Sequence, residues 1–145
     1  MKYLLIILFS SLAYFCNAQN KQPLACTLLQ KAIETDAFYE ELDLNKNPDT
    51  ALYITDTAGY FNDCSLSKIH GIKIKFTRIL TYTKKGEKIL NNHNVIIYRV
   101  DRDGSEITLY FVRPFWGGIP GCMVGVRLKC KNGGVDVIGY IKADR

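Results

Sequence analysis

Four cysteines, two histidines and one aromatic loop are the residues whose types and spacing could carry chemistry in this chain. Cys26, Cys64, Cys122 and Cys130 form an even set, which favours disulfides in an exported protein. Their spacing lacks the C-x2–4-C pairs of a structural zinc site, so no metal is expected. His70 and His93 stand in polar surroundings near strand ends, and neither H-E-x-x-H nor G-x-S-x-G occurs. With every cysteine after the leader oxidised, no thiol remains to pair with either histidine for nucleophilic catalysis. The remaining enzymatic option is a hydrolase in which His70 meets Asp56 or Asp63 as an acid–base pair. The balance of residues leans against an enzyme, and no cofactor is implied.

The loop is Arg113-Pro-Phe-Trp-Gly-Gly-Ile-Pro-Gly121, where glycine and proline stop regular structure. It holds the single tryptophan, with Phe115 and Ile119 beside it. Phe115 and Trp116 either fold back to plug an open end of the core or stand exposed as a contact hot spot. In the second case Arg113 supplies a polar anchor, since aromatic residues and arginine dominate such contacts. Arg113, Phe115, Trp116 and Ile119 are therefore the candidate partner-binding residues. The G-x-x-x-x-G-K-[ST] phosphate pattern is absent.

Two hairpins must position that loop. Val95–Val100 and Ile107–Phe111 flank Asp103-Gly104, a two-residue turn pair. A turn there sets Val100 opposite Ile107, Tyr98 opposite Leu109 and Ile96 opposite Phe111. The second hairpin runs from Cys122 to Cys130, turns at Asn132-Gly133 and returns through Val135–Lys142. It sets Cys130 opposite Val135, Leu128 opposite Val137, Val126 opposite Gly139 and Val124 opposite Ile141. A slip of one residue would turn every apolar side chain outward.

Upstream, Pro23–Leu42 reads as one helix with the stripe Leu28, Ala32, Thr35, Tyr39 and Leu42. Asp43–Asp49 has oxygens at calcium-loop positions, but Pro48 replaces the required glycine and Ile54 the bidentate glutamate, which leaves a plain loop. Residues 51–57 form a short strand, and Gly59–Cys64 a turn or second short helix. Ile72, Ile74 and Phe76 alternate with lysines and threonine, and Lys85-Gly86 turns Tyr82 against Ile89. The expected fold is α+β: one N-terminal helix on a twisted, mostly antiparallel sheet of five or six strands, joined by short antiparallel connections.

Met1-Lys2, the apolar run Tyr3–Phe9 and a small or polar run to Ala18 read as a secretory signal peptide. Its apolar run is too short to span a bilayer of roughly 30 Å. Residues 1–18 are thus a leader and 19–145 one domain, secreted or periplasmic, with no membrane span after cleavage. The charge of +5 falls to +4 with loss of Lys2. The scattered lysines and missing recognition modules argue against nucleic acid. If Cys122–Cys130 is one strand, its ends lie about 26 Å apart, far beyond the roughly 7 Å of a bridge. Cys26 and Cys64 are then expected to reach one end each, in either pairing.

A helix followed by a long twisted antiparallel sheet resembles the cystatin-like and nuclear-transport-factor-2-like architectures. That resemblance implies a concave face between helix and sheet as the place for a ligand. The function expected is a small secreted or periplasmic binding or inhibitory protein whose partner is an extracellular or periplasmic protein. The alternative is a small-molecule module with a pocket lined by Tyr98, Tyr110 or Tyr140.

Overall fold

The computed structural model describes residues 24–44, 51–56, 58–61, 63–77, 94–114 and 121–142. Among the described residues two short helices come first, α1 (Leu24–Ile33) and α2 (Asp36–Glu41). The single helix expected over Pro23–Leu42 is broken at Thr35, whose backbone is extended (φ −77°, ψ 142°). The cause is a competing set of hydrogen bonds. Thr35 Oγ1 donates to the Ala32 carbonyl at 2.8 Å and accepts from the Phe38 N–H at 3.3 Å. One hydroxyl thus serves the end of α1 and caps the start of α2, a role short hydroxyl side chains favour over continuing a helix. The apolar stripe survives the break, because Leu28, Ala32, Tyr39 and Leu42 are all buried.

Seven strands follow among the described residues, rather than five or six: β1 (Leu52–Thr55), β2 (Lys68–Ile69), β3 (Ile72–Thr77), β4 (Asn94–Asp103), β5 (Glu106–Arg113), β6 (Cys122–Lys131) and β7 (Gly134–Lys142). They form one sheet in the order β2-β3-β1-β4-β5-β6-β7. Pairing is antiparallel for β2–β3, β4–β5, β5–β6 and β6–β7. The expectation of antiparallel connections throughout fails at β1, which runs parallel to both of its neighbours, β3 and β4. Leu52 and Ile54 are apolar enough to fill an interior strand of only four residues. The fold is α+β, with N-terminal helices packed on a mostly antiparallel sheet.

Turn chemistry fixes the registers. Asn132 and Gly133 both have positive φ (38° and 84°), as a two-residue hairpin turn requires. Cys130 then faces Val135 and Leu128 faces Val137, as the alternation predicts. Beyond that point the ladder shifts between Arg127 and Leu128, so Val126 meets Tyr140 rather than Gly139, and Val124 meets Lys142 rather than Ile141. In the other hairpin the turn falls one residue later than expected, at Gly104-Ser105, with Asp103 opposite Glu106. Gly104 takes the first central position at φ 58°, a left-handed conformation that glycine adopts with no Cβ penalty. Val100 therefore faces Leu109, and a shift at Tyr98 brings Ile97, not Ile96, opposite Phe111.

The helices cover one face of the sheet, with α1 against β6 and β7 and α2 against β6. Phe38 meets Phe111 edge-on at 5.0 Å between ring centroids. Ile54, Val95, Leu109, Phe111, Val124 and Val126 are fully buried beneath them. Burial of each such side chain contributes about 1.5–3 kcal/mol. A disulfide joins Cys26 of α1 to Cys64, just before β2. This corrects the expected pairing of Cys26 and Cys64 with the two ends of β6. Those ends do lie a full strand apart, but α1 sits beside the 61–66 segment, and the bridge closes there instead.

Candidate functional site

The face of the sheet away from the helices carries the residues best placed for contact. At Tyr98 the β4 strand holds one residue more than β5 opposite it. Such a bulge turns two consecutive side chains to the same side, and Tyr98 and Arg99 are both exposed between buried Ile97 and half-buried Val100. Tyr98 is 65% exposed, the largest value among the described large apolar residues.

Arg99 lies with its guanidinium carbon 4.4 Å from the centroid of the Tyr110 ring, within the range of cation–π attraction. Asp101 holds the same guanidinium at 2.6 Å. Hydrogen bonding to Tyr110, then the charge of Asp101, keeps Arg99 still more firmly protonated than a free arginine. The Tyr110 ring in turn lies over Gly125. A Cβ at Gly125 would come 3.0 Å from Tyr110 Cε1 and 3.1 Å from Ile141 Cβ. Glycine, ring and guanidinium thus form three layers, the last open to solvent.

Around this stack the face divides in two. Towards one end, Ile96 faces Val112 and Val112 faces Met123, all half-buried. Towards the hairpin tips, Glu106 accepts from Arg127 at 3.0 Å and from Lys129 at 3.1 Å. Those two cations, Lys129 foremost, hold the Glu106 carboxyl below the ordinary glutamate value. An apolar strip beside neutralised charges can dehydrate without stranding a lone ion, which suits a protein contact.

Arg113 sits elsewhere. Its side chain is 8% exposed, and Nη1 donates to the Asp43 carbonyl at 2.8 Å and to Asp43 Oδ2 at 3.2 Å. Its Nη2 lies 3.8 Å from Cys122 Sγ. The guanidinium therefore fastens the end of the helical segment to β5. Phe115, Trp116 and Ile119 fall outside the described residues, as do His93, residues 1–18 expected as a leader, and the turn expected between Tyr82 and Ile89.

His70 forms, with Gly71, the tight turn between β2 and β3, at φ 50°. Its Nε2 is 2.8 Å from the Glu34 carbonyl oxygen and its ring lies edge-on to Tyr39. Asp56 instead accepts from the backbone N–H of Gly59 at 3.0 Å and of Phe61 at 2.7 Å, shaping the turn after β1. The structure does not bring His70 and Asp56 together as an acid–base pair. Nor do the tyrosines of the small-molecule reading line a pocket under the helices: Tyr98 and Tyr110 lie on the opposite face, and Tyr140 is 42% exposed on β7.

Strand parity alone missed this site. Alternation from Ile96 to Val100 assigns Tyr98 to the core, and only the bulge reverses it. One signal was present: a glycine inside a strand marks close approach by a neighbour, and Gly125 is where Tyr110 settles.

The fold and this face define a small α+β domain with one sheet face packed under helices and the other suited to ligand or protein contacts. Among the described residues no helix is long and apolar enough to cross a membrane, and no group of three metal-ligating side chains occurs. No protein-family model, curated protein or solved structure matches the chain.

Proposed function

We propose that this chain is an exported binding or inhibitory protein, secreted or periplasmic, that acts through protein–protein contacts. The observation that carries the reading is the Tyr98-Arg99 bulge. It lifts an exposed tyrosine and a stacked arginine onto the face that the helices leave open. Tyrosine and arginine are enriched at the few residues that supply most binding energy in interfaces. Arg99 is already oriented by Tyr110 and Asp101, so less side-chain freedom is lost on binding. The 113–121 loop, with Phe115, Trp116 and Ile119, belongs to the proposal as a second contact element, and Arg113 as its internal anchor. Export rests on the 1–18 leader and fits the Cys26–Cys64 bridge, since such bonds persist in oxidising compartments.

The test is affinity capture from the native extracellular or periplasmic fraction, with Tyr98→Ala and Trp116→Ala variants alongside. One stoichiometric protein partner, lost in a variant whose Tm is unchanged, supports the reading. Variants that melt far earlier and still retain the partner would overturn it.

A further inference from the structure

Arg99 keeps one surface that the chain itself does not use. One flat face of its guanidinium lies on the Tyr110 ring, and Asp101 Oδ2 lies 2.6 Å from Nη2. The side chain is still 53% exposed, which leaves the second flat face to solvent. Register places this stack in an ordered setting, because residues directly opposite one another share a face. One row crosses four strands as Arg99, Tyr110, Gly125 and Ile141. Beside it runs the half-buried row Ile96, Val112 and Met123. Val112 is two positions from Tyr110, about 7 Å along the strand, so one large side chain set over Arg99 also reaches that row.

Three kinds of group could cover such a guanidinium. A carboxylate or phosphate binds in its plane, through paired N–H donors. Asp101 already holds that edge, so an arriving anion meets a like charge where it needs a donor. Two strands away, Glu106 occupies Arg127 and Lys129 in the same manner. An aliphatic side chain gains the apolar row but nothing from the cation. An aromatic ring uses the flat face, the part of Arg99 left over, because its π electrons attract a cation laid over them. The guanidinium is also planar and weakly hydrated, so little is lost by covering it.

We infer that an aromatic side chain of the partner protein lies over Arg99 as the fourth layer of the stack, with its edge on the Ile96–Val112–Met123 row. The inference rests on the protein-contact reading above and names the chemistry of the residue received. Each lower layer has a part in it. Gly125 leaves the space in which Tyr110 settles. Tyr110 supports the guanidinium from below, and Asp101 fixes its edge and turns anions away.

The experiment follows the Arg99 Nε–H signal by NMR in the whole folded chain. N-acetyl-L-tryptophanamide is the aromatic probe, N-acetyl-L-leucinamide the aliphatic one and succinate the anion. Adenosine stands for a planar ligand that is not protein. The expected result is a saturable upfield shift with tryptophanamide, little shift with leucinamide or succinate, and no tighter binding of adenosine. Arg99→Lys keeps the charge and loses the plane, and should weaken tryptophanamide about threefold, read from the Tyr110 ring signals at an unchanged Tm. Asp101→Asn frees the guanidinium edge, so succinate should then shift the Arg99 signal. No saturable shift with tryptophanamide, an equal response to leucinamide, a succinate shift in the parent, or tighter binding of adenosine would each overturn the inference. The contrast among probes in the parent decides even where a variant folds poorly. A native partner lost in Tyr98→Ala but held unchanged by Arg99→Lys would overturn it while leaving the protein-contact reading intact. The tryptophanamide response with no protein partner captured would remove that reading and leave the aromatic-binding stack.

Discussion

The hydroxyphenyl ring of Tyr110 occupies the space that a side chain at Gly125 would need, 3.0 Å from the position of its Cβ. Gly125→Ala should therefore cost about 1–3 kcal/mol, the usual range for overpacking a well-filled site. Urea denaturation measures it. In a Tyr110→Ala background the same substitution should cost clearly less, and equal costs in both backgrounds would remove the ring as the cause.

Cys26 and Cys64 lie 38 positions apart in sequence. Replacing both with serine should lower stability by about 2–4 kcal/mol, mainly by releasing the unfolded chain from a closed loop. Peptide mapping under non-reducing conditions should recover the 26–64 cross-link, and a 26–122 or 26–130 peptide would contradict the structure.

Arg113 and Asp43 should behave unequally. Arg113→Met strands the Asp43 carbonyl and removes the tie between helix and sheet, with an expected loss of about 2–3 kcal/mol. Asp43→Asn leaves the carbonyl contact in place and changes a side chain that is 76% exposed, so the loss should stay below about 1 kcal/mol. Denaturant midpoints of the two variants check the order.

Glu106 and Tyr39 bound the pH range from opposite sides. The folded Glu106 carboxyl titrates below its unfolded value. Its stabilising contribution is present above the unfolded value and fades as pH falls through the folded one. Glu106→Gln should therefore flatten the acid limb of the stability curve. Burial pushes the Tyr39 phenol up to about 12. Stability from that group is complete below pH 10 and declines as pH rises towards 12. Tyr39→Phe should weaken the alkaline decline, read from Tm against pH. An unchanged acid limb in the first variant, or an unchanged alkaline limb in the second, would refute the respective assignment.

Much of the scaffold was legible in the residues. Asn132-Gly133 and the alternation of Val124, Val126 and Leu128 give the last hairpin its turn and its register as far as Leu128. The burial of Leu28, Ala32, Tyr39 and Leu42 follows from their spacing. What failed has a common physical source: parity arguments carry no memory of an inserted residue, so the shifts at Tyr98 and near Ile138 were invisible. Thr35 fits a helical stripe and an N-cap equally well, and its hydroxyl takes the cap by bonding the Ala32 carbonyl and the Phe38 N–H. The parallel placement of β1 could not be read from a run of four residues, because nothing in Leu-Tyr-Ile-Thr specifies direction. Cysteine spacing alone carries no sign that Cys26 of α1 lies beside Cys64, because that contact is made by the folded chain and not by strand length.

The place of β1 has a consequence for how the chain reaches its native state. Leu52–Thr55 is held between β3 and β4, both of which come later in sequence and run alongside it in the same direction. During synthesis, β1 emerges before either wall of its slot exists. The β4–β5 and β6–β7 hairpins close through two-residue turns, which is fast, whereas parallel pairing over long separations is slow. Leu52 and Ile54 are therefore expected to lodge between β3 and β4 after those hairpins have closed. Until Asn94–Ile96 are in place, the helices and β1 have only part of a sheet to rest on.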